Sequence, residues 1–78
     1  MTRADVASLL TQVVADELEI DVGKVTEAST LSGLGADDLS LTTIFAAVEE
    51  QFNLKPSDTR FDGVKTVGQA IDVIAKEM

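Results

Sequence analysis

The 78-residue chain has no cysteine, no histidine, no tryptophan and no tyrosine, a single proline, and six basic residues against 14 acidic ones. Without thiol or imidazole groups no disulfide can staple the fold, and the usual zinc, iron–sulfur and haem ligand sets cannot be assembled. The same absence removes Ser/His and Cys/His nucleophilic pairs, so most self-contained enzyme chemistries are excluded and no catalytic residue is expected. The shortage of bases leaves a formal charge of −8 and a pI near 4.1. Such a chain is repelled by phosphate backbones and anionic lipid surfaces, so neither nucleic acid nor membrane is an expected partner. No apolar run approaches the roughly 20 residues of a membrane span. The segment Met1-Thr2-Arg3-Ala4-Asp5 lacks the apolar core of a signal peptide, and a cytoplasmic placement is expected.

What is present is enough for one small core. Hydrophobic residues make up 45% of the chain, and residues 1–78 are read as a single domain and a monomer. A domain this short buries only about 60% of its unfolded surface, so its stability rests on well-packed secondary structure or on a partner.

Val6, Leu9, Leu10, Val13, Val14 and Leu18 recur at steps of three and four and mark one face of a first helix. Thr2 with Asp5 forms a capping-box pattern that starts this helix near residue 3. From Glu19 to Asp37 no helical period persists, but Val22, Val25, Ala28, Leu31 and Leu34 are spaced as apolar pins along a long loop. Gly33 and Gly35 bracket Leu34, where the spacing predicts a tight turn.

Residues 38–52 predict a second helix with Leu41, Ile44, Phe45, Val48 and Phe52 as its core stripe. Leu39 lies on the opposite side of the wheel, beside Thr42, Thr43, Ala46 and Glu50, and is expected to face solvent or a partner. Pro56 blocks continuation, and Ser57–Asp62 is long enough for one short helical turn anchored by Phe61. Thr66 with Gln69 is a second capping box, followed by Val67, Ala70, Ile71, Ile74 and Met78 down one face of a last helix. The expected fold is therefore all-α: a four-helix bundle of three longer helices and one short one, with a long first loop.

The charge has a location. No Lys or Arg occurs between Lys24 and Lys55, whereas Glu27, Asp37, Asp38, Glu49 and Glu50 all fall in that window. Asp37 and Asp38 sit where a helix N-terminus favours carboxylates, and capping alone is one reading of them. Glu49 and Glu50 lie at the unfavourable end of the same helix, which points to a basic partner. Asp58 and Asp62 are four apart with no third ligand close in sequence, so no metal site is expected.

The stretch Leu34-Gly35-Ala36-Asp37-Asp38-Leu39, followed by an acidic helix ending Val48-Glu49-Glu50-Gln51-Phe52, resembles the central region of acyl carrier proteins, whose hallmark there is Gly-x-Asp-Ser-Leu. The match runs without a gap through Pro56 to Lys65-Thr66-Val67-Gly68-Gln69-Ala70-Ile71-Asp72, which is similar to the last helix of that family. The resemblance implies a carrier of fatty acid, polyketide or related thioester metabolism. Its second helix would dock on basic surfaces of synthases and transferases, here through Asp37, Leu39, Glu49 and Glu50. It also implies a 4′-phosphopantetheine arm on the serine that opens the second helix, so that the reactive sulfur comes from the cofactor.

The departure falls at that serine, because its position is occupied by Asp38. A carboxylate attacking the coenzyme A diphosphate would give an acyl phosphate, which hydrolyses readily, so the arm is expected to be absent here. Ser40 and Thr43 also stand where the family commonly has acids. Ser40 is the alternative attachment point, although two positions along a helix is a rotation of about 200°. Asp38 still supplies the negative charge and cap that the helix start favours, so, natural or introduced, the substitution spares the fold while removing the chemistry. The reading of a different class is a non-acylated interaction or regulatory subunit that keeps the carrier fold and the acidic helix.

Overall fold

A computed structural model describes all 78 residues as three α-helices and one 3₁₀ turn. Helix α1 (Arg3–Leu18) opens on the expected capping box: the Asp5 amide donates to Thr2 Oγ1 at 3.2 Å, and the Thr2 amide donates to Asp5 Oδ2 at 3.1 Å. It ends at Glu19, a non-glycine residue in the left-handed region at φ 56°, beyond which the Ile20 amide donates to the Ala15 carbonyl. Val6, Leu10 and Val14, four apart, form its buried spine. Leu9, expected in that stripe, is 38% exposed at its margin.

The 19–37 loop is more structured than its lack of helical period suggests. Asp21 caps a 3₁₀ turn over Val22–Lys24 by accepting from the Gly23 amide at 2.8 Å. Of the expected pins, Val25 and Leu31 are buried and Leu34 is partly so, while Val22 and Ala28 are exposed. Backbone hydrogen bonds do the remaining work. The Leu31 amide donates to the Lys65 carbonyl at 2.9 Å, Val67 to Ser29 at 3.0 Å and Gly68 to Glu27 at 2.9 Å, and Thr30 pairs antiparallel with Thr66. A Cβ at Gly68 would lie 3.0 Å from the Glu27 carbonyl oxygen, so the small residue permits the loop to lie against the start of the last helix.

Helix α2 (Asp38–Gln51) buries Ile44 and Val48, continues the stripe into Phe52, and packs Leu41 and Phe45 part-buried beside them. Asn53, at φ 57°, and the Leu54 amide, which donates to the Glu49 carbonyl at 2.8 Å, close its C-terminus. The short helix expected over Ser57–Asp62 is absent. The segment turns instead, closed by the Asp62 amide on the Thr59 carbonyl and the Val64 amide on the Phe61 carbonyl, with Gly63 at φ 77°. Phe61 is nevertheless its buried anchor. Helix α3 (Val67–Glu77) opens on the Thr66–Gln69 capping box and buries Val67, Ala70, Ile71 and Ile74. Met78, expected on that face, is 50% exposed. The stripes of the three helices meet in one core of 15 buried residues.

Candidate functional site

The turn before α2 sets up the site. Amides of Leu34, Gly35 and Ala36 donate back to carbonyls of residues 30–32, and Gly35, at φ 101°, takes a conformation that an L side chain rarely adopts. Ala36 is buried and tethers the chain just before the helix opens. Gly33 serves by smallness, since a Cβ there would meet Thr30 Oγ1 at 2.5 Å.

Two adjacent acids then divide their labour. Asp37 is the N-cap: its Oδ1 accepts from the Ser40 amide at 2.8 Å and from Ser40 Oγ at 2.9 Å. These bonds, the backbone one first, hold the Asp37 carboxyl below the usual carboxylate range. Asp38 is the first residue of the helix, not its cap, and its exposed carboxylate accepts no hydrogen bond from the chain. The capping role expected of Asp38 therefore belongs to Asp37. Ser40 is part-buried with its hydroxyl committed to Asp37.

From this end an outward face runs along α2. Leu39 is 77% exposed, the most exposed of the large hydrophobic residues, as its place on the wheel predicts. Thr42 and Thr43 turn their hydroxyls back on the helix, donating to the carbonyls of Asp38 and Leu39 at 3.0 and 3.1 Å. Ala46 and Glu50 complete the exposed face, and at 1.5 Å per residue it extends roughly 16 Å from Leu39 to Glu50.

Glu49 does not belong to it. It is 6% exposed, and its Oε2 accepts from the Ser57 amide at 3.0 Å and from Arg60. The expectation that stability leaves Glu49 unexplained is thus corrected: a base within the chain answers it. Arg60 was missed as a structural residue, although it is the sole base between Lys55 and Lys65 in a segment without helical period. Beside this pair, residues of α2 and of 56–62 enclose a groove of about 310 Å³ lined by Thr42, Phe45, Ala46, Pro56, Asp58 and Phe61 among others. Phe45 and Phe61, both in its lining, stack on each other with ring centroids 4.2 Å apart. No group of three or more acidic side chains is gathered for a metal ion.

The family model for the phosphopantetheine attachment site matches residues 8–74, which span the loop, the whole of α2 and most of α3. The chain belongs to the acyl carrier protein family. It is 38% identical over 74 residues to an acyl carrier protein of Sinorhizobium fredii, covering 94% of this chain and 95% of that relative. Identity to the acyl carrier protein AcpP of Rhizobium meliloti is the same over the same span. Among solved structures, the acyl carrier protein of Enterococcus faecalis superposes with a TM-score of 0.78 at 26% identity over the full length of both chains. The fold is accordingly the all-α carrier scaffold, and the group that this family carries is 4′-phosphopantetheine. None of the helices is long and apolar enough to cross a membrane.

Proposed function

We propose that this acyl carrier scaffold meets its partner enzymes through the outward face of α2 without bearing the phosphopantetheine arm at position 38. The observation that carries the reading is the pair of side chains at the helix start. Attachment needs a hydroxyl oxygen, and position 38 offers a carboxylate whose product with the coenzyme A diphosphate would be an acyl phosphate, open to hydrolysis. The hydroxyl nearest in sequence, on Ser40, donates to Asp37 Oδ1 at 2.9 Å and sits about 200° further round the helix. The residues present therefore do not fit a covalently held arm, and no step is routed through one.

Docking draws on different groups. Leu39 offers an apolar contact flanked by the charges of Asp37 and Asp38, and Glu50 extends the acidic face toward the far end of the helix. A basic surface is its complement. Glu49 is left out because Arg60 and Ser57 already occupy its carboxylate. The protein acts by binding rather than by catalysis, as a single cytoplasmic domain over residues 1–78 and as a monomer. The charge kept at position 38 together with the exposed residues that remain on the outward face also suits a dedicated interaction subunit. Such a subunit holds one partner at moderate salt, whereas a carrier binds several enzymes weakly, and co-purification across a salt series separates the two.

Intact-mass measurement after incubation with coenzyme A and a broad-specificity phosphopantetheinyl transferase tests the central point. The chain is expected to keep its mass. Gain of one arm would overturn the reading, and peptide mapping would then locate it at Ser40 or elsewhere.

A further inference from the structure

The chain has a single Asp-Gly step, Asp62-Gly63, and it forms the middle of the β-turn that follows Phe61. The Val64 amide closes that turn on the Phe61 carbonyl at 3.0 Å, and Gly63, at φ 77°, holds its third position as a type II turn requires. Both central residues are exposed. The peptide between them is engaged at neither end: the Gly63 N–H donates to no group of the chain, and the carbonyl and carboxylate of Asp62 accept from none. A Cβ at position 63 would meet nothing within 4 Å, so no neighbour fences the peptide plane in.

Such a plane is free to rotate. Type I and type II turns differ by that rotation and share the closing hydrogen bond, and glycine tolerates the φ that each demands at the third position. The rotation brings the Gly63 nitrogen to the Asp62 side chain, where nitrogen and Cγ can close a succinimide ring. Asp58, also exposed and in the same segment, is placed differently. The Thr59 amide donates to the Ser57 hydroxyl at 3.2 Å, and the β-branched side chain of Thr59 crowds the approach. The remaining aspartates lie within helices or cap them.

We propose that Asp62 is a site of spontaneous backbone isomerisation, converting to isoaspartate through a succinimide formed with the Gly63 nitrogen. In ring closure the nitrogen sheds its proton and bonds to Cγ of the protonated carboxyl, the Cγ–OH bond breaks, and one water leaves. One water then adds back. Cleavage of the Cγ–N bond restores aspartate. Cleavage between the nitrogen and the main-chain carbonyl carbon of Asp62 leaves the chain running through Cβ and Cγ, with a free carboxylate on Cα. The product carries an extra methylene inside the stretch that the Val64–Phe61 hydrogen bond spans, next to the buried anchor Phe61. Its α-carboxylate is a substrate for a carboxyl methyltransferase that uses S-adenosylmethionine.

The test incubates the folded chain at neutral pH and body temperature in water enriched in heavy oxygen, beside the same chain unfolded in urea and the folded variant Asp62→Glu. That variant keeps the charge at an exposed position, but its longer side chain can form only a larger, slower-closing ring. Isoaspartate is read by mapping the tryptic peptide Phe61–Lys65, whose isomer elutes apart from its parent with one heavy oxygen, and by methyl transfer from labelled S-adenosylmethionine with an isoaspartyl methyltransferase. The folded parent should accumulate isoaspartate at position 62 at a rate within about tenfold of the unfolded chain, since an unbonded surface turn rearranges at little cost. Asp58 should stay unchanged, and Asp62→Glu should lose the methyl acceptance. A folded rate at position 62 more than about tenfold below the unfolded one would overturn the proposal, because the turn would then protect the site. Isomerisation of Asp58 as fast as that of Asp62, or undiminished methyl acceptance by Asp62→Glu, would overturn it as well.

Discussion

Helix α2 carries two pairs of adjacent acids, Asp37–Asp38 at its start and Glu49–Glu50 at its end, and each pair splits in the same way. Asp37 caps the helix and Glu49 binds Arg60, whereas the carboxylates of Asp38 and Glu50 accept no hydrogen bond from the chain. At the end of the helix neighbours point about 100° apart, which turns Glu49 inward and Glu50 to solvent; at its start both acids are exposed, and Asp37, which precedes the helix with extended backbone, differs from Asp38 by accepting from Ser40. The lesson is that a doubled acid is not a doubled signal. One member of each pair is tied into the fold, and the other carries a charge that nothing in the chain engages.

That division is open to a direct stability comparison. The largest loss is expected for Glu49→Ala, which strands Arg60 beside a single remaining carboxylate and leaves the Ser57 amide without its acceptor. Its melting temperature should fall by about 5–10 °C, read by circular dichroism because the chain has no tryptophan or tyrosine. Asp37→Ala comes next, with a fall of about 5 °C from loss of the cap. The Asp37 effect also has a pH signature. Its carboxyl is held below its ordinary value in the folded chain, so its stabilisation is complete above the unfolded value of about 4 and is lost as pH falls through the folded value. The gap between parent and Asp37→Ala melting curves should therefore close in strong acid and be constant from pH 5 upward.

The solvent-facing members should behave oppositely. Asp38→Asn and Glu50→Gln are expected to move the melting temperature by less than about 2 °C while weakening binding to a basic partner, most visibly at low salt. If either exposed acid proved as costly to remove as its neighbour, the division would fail. The smallest effect is collective. At a formal charge of −8, added salt or millimolar divalent cations should raise the melting temperature by relieving self-repulsion, and indifference to both would mean that the acids are already well separated or paired.

Much of this was legible in the residues because it is local. The two capping boxes, the α2 stripe, the exposure of Leu39 and the anchoring by Phe61 all follow from spacings of three and four along a helix or from one aromatic after a proline. What escaped has long reach. Arg60 finds Glu49 across 11 positions and Glu77 across 17, and no periodicity links them. The pairing of residues 27–31 with 65–68 is carried by backbone groups, which every residue possesses, so side-chain pattern does not reveal it. Spacing at intervals of three also over-counted the loop's pins, since Val22 and Ala28 are exposed. At the site, the residue pattern put both acids at the start of the helix but could not tell which of the two would cap it.

If the carrier fold and what remains of its α2 face, with Ser40 and Thr43 in place of acids, still suffice for recognition, only the side chain at position 38 stands between this protein and a bound arm. Intact mass of Asp38→Ser, treated with coenzyme A and a broad-specificity phosphopantetheinyl transferase beside the parent chain, tests it most directly. One arm is expected on the variant, mapped to position 38, and none on the parent. A well-folded variant that gains no arm, or a parent that gains one, would contradict it.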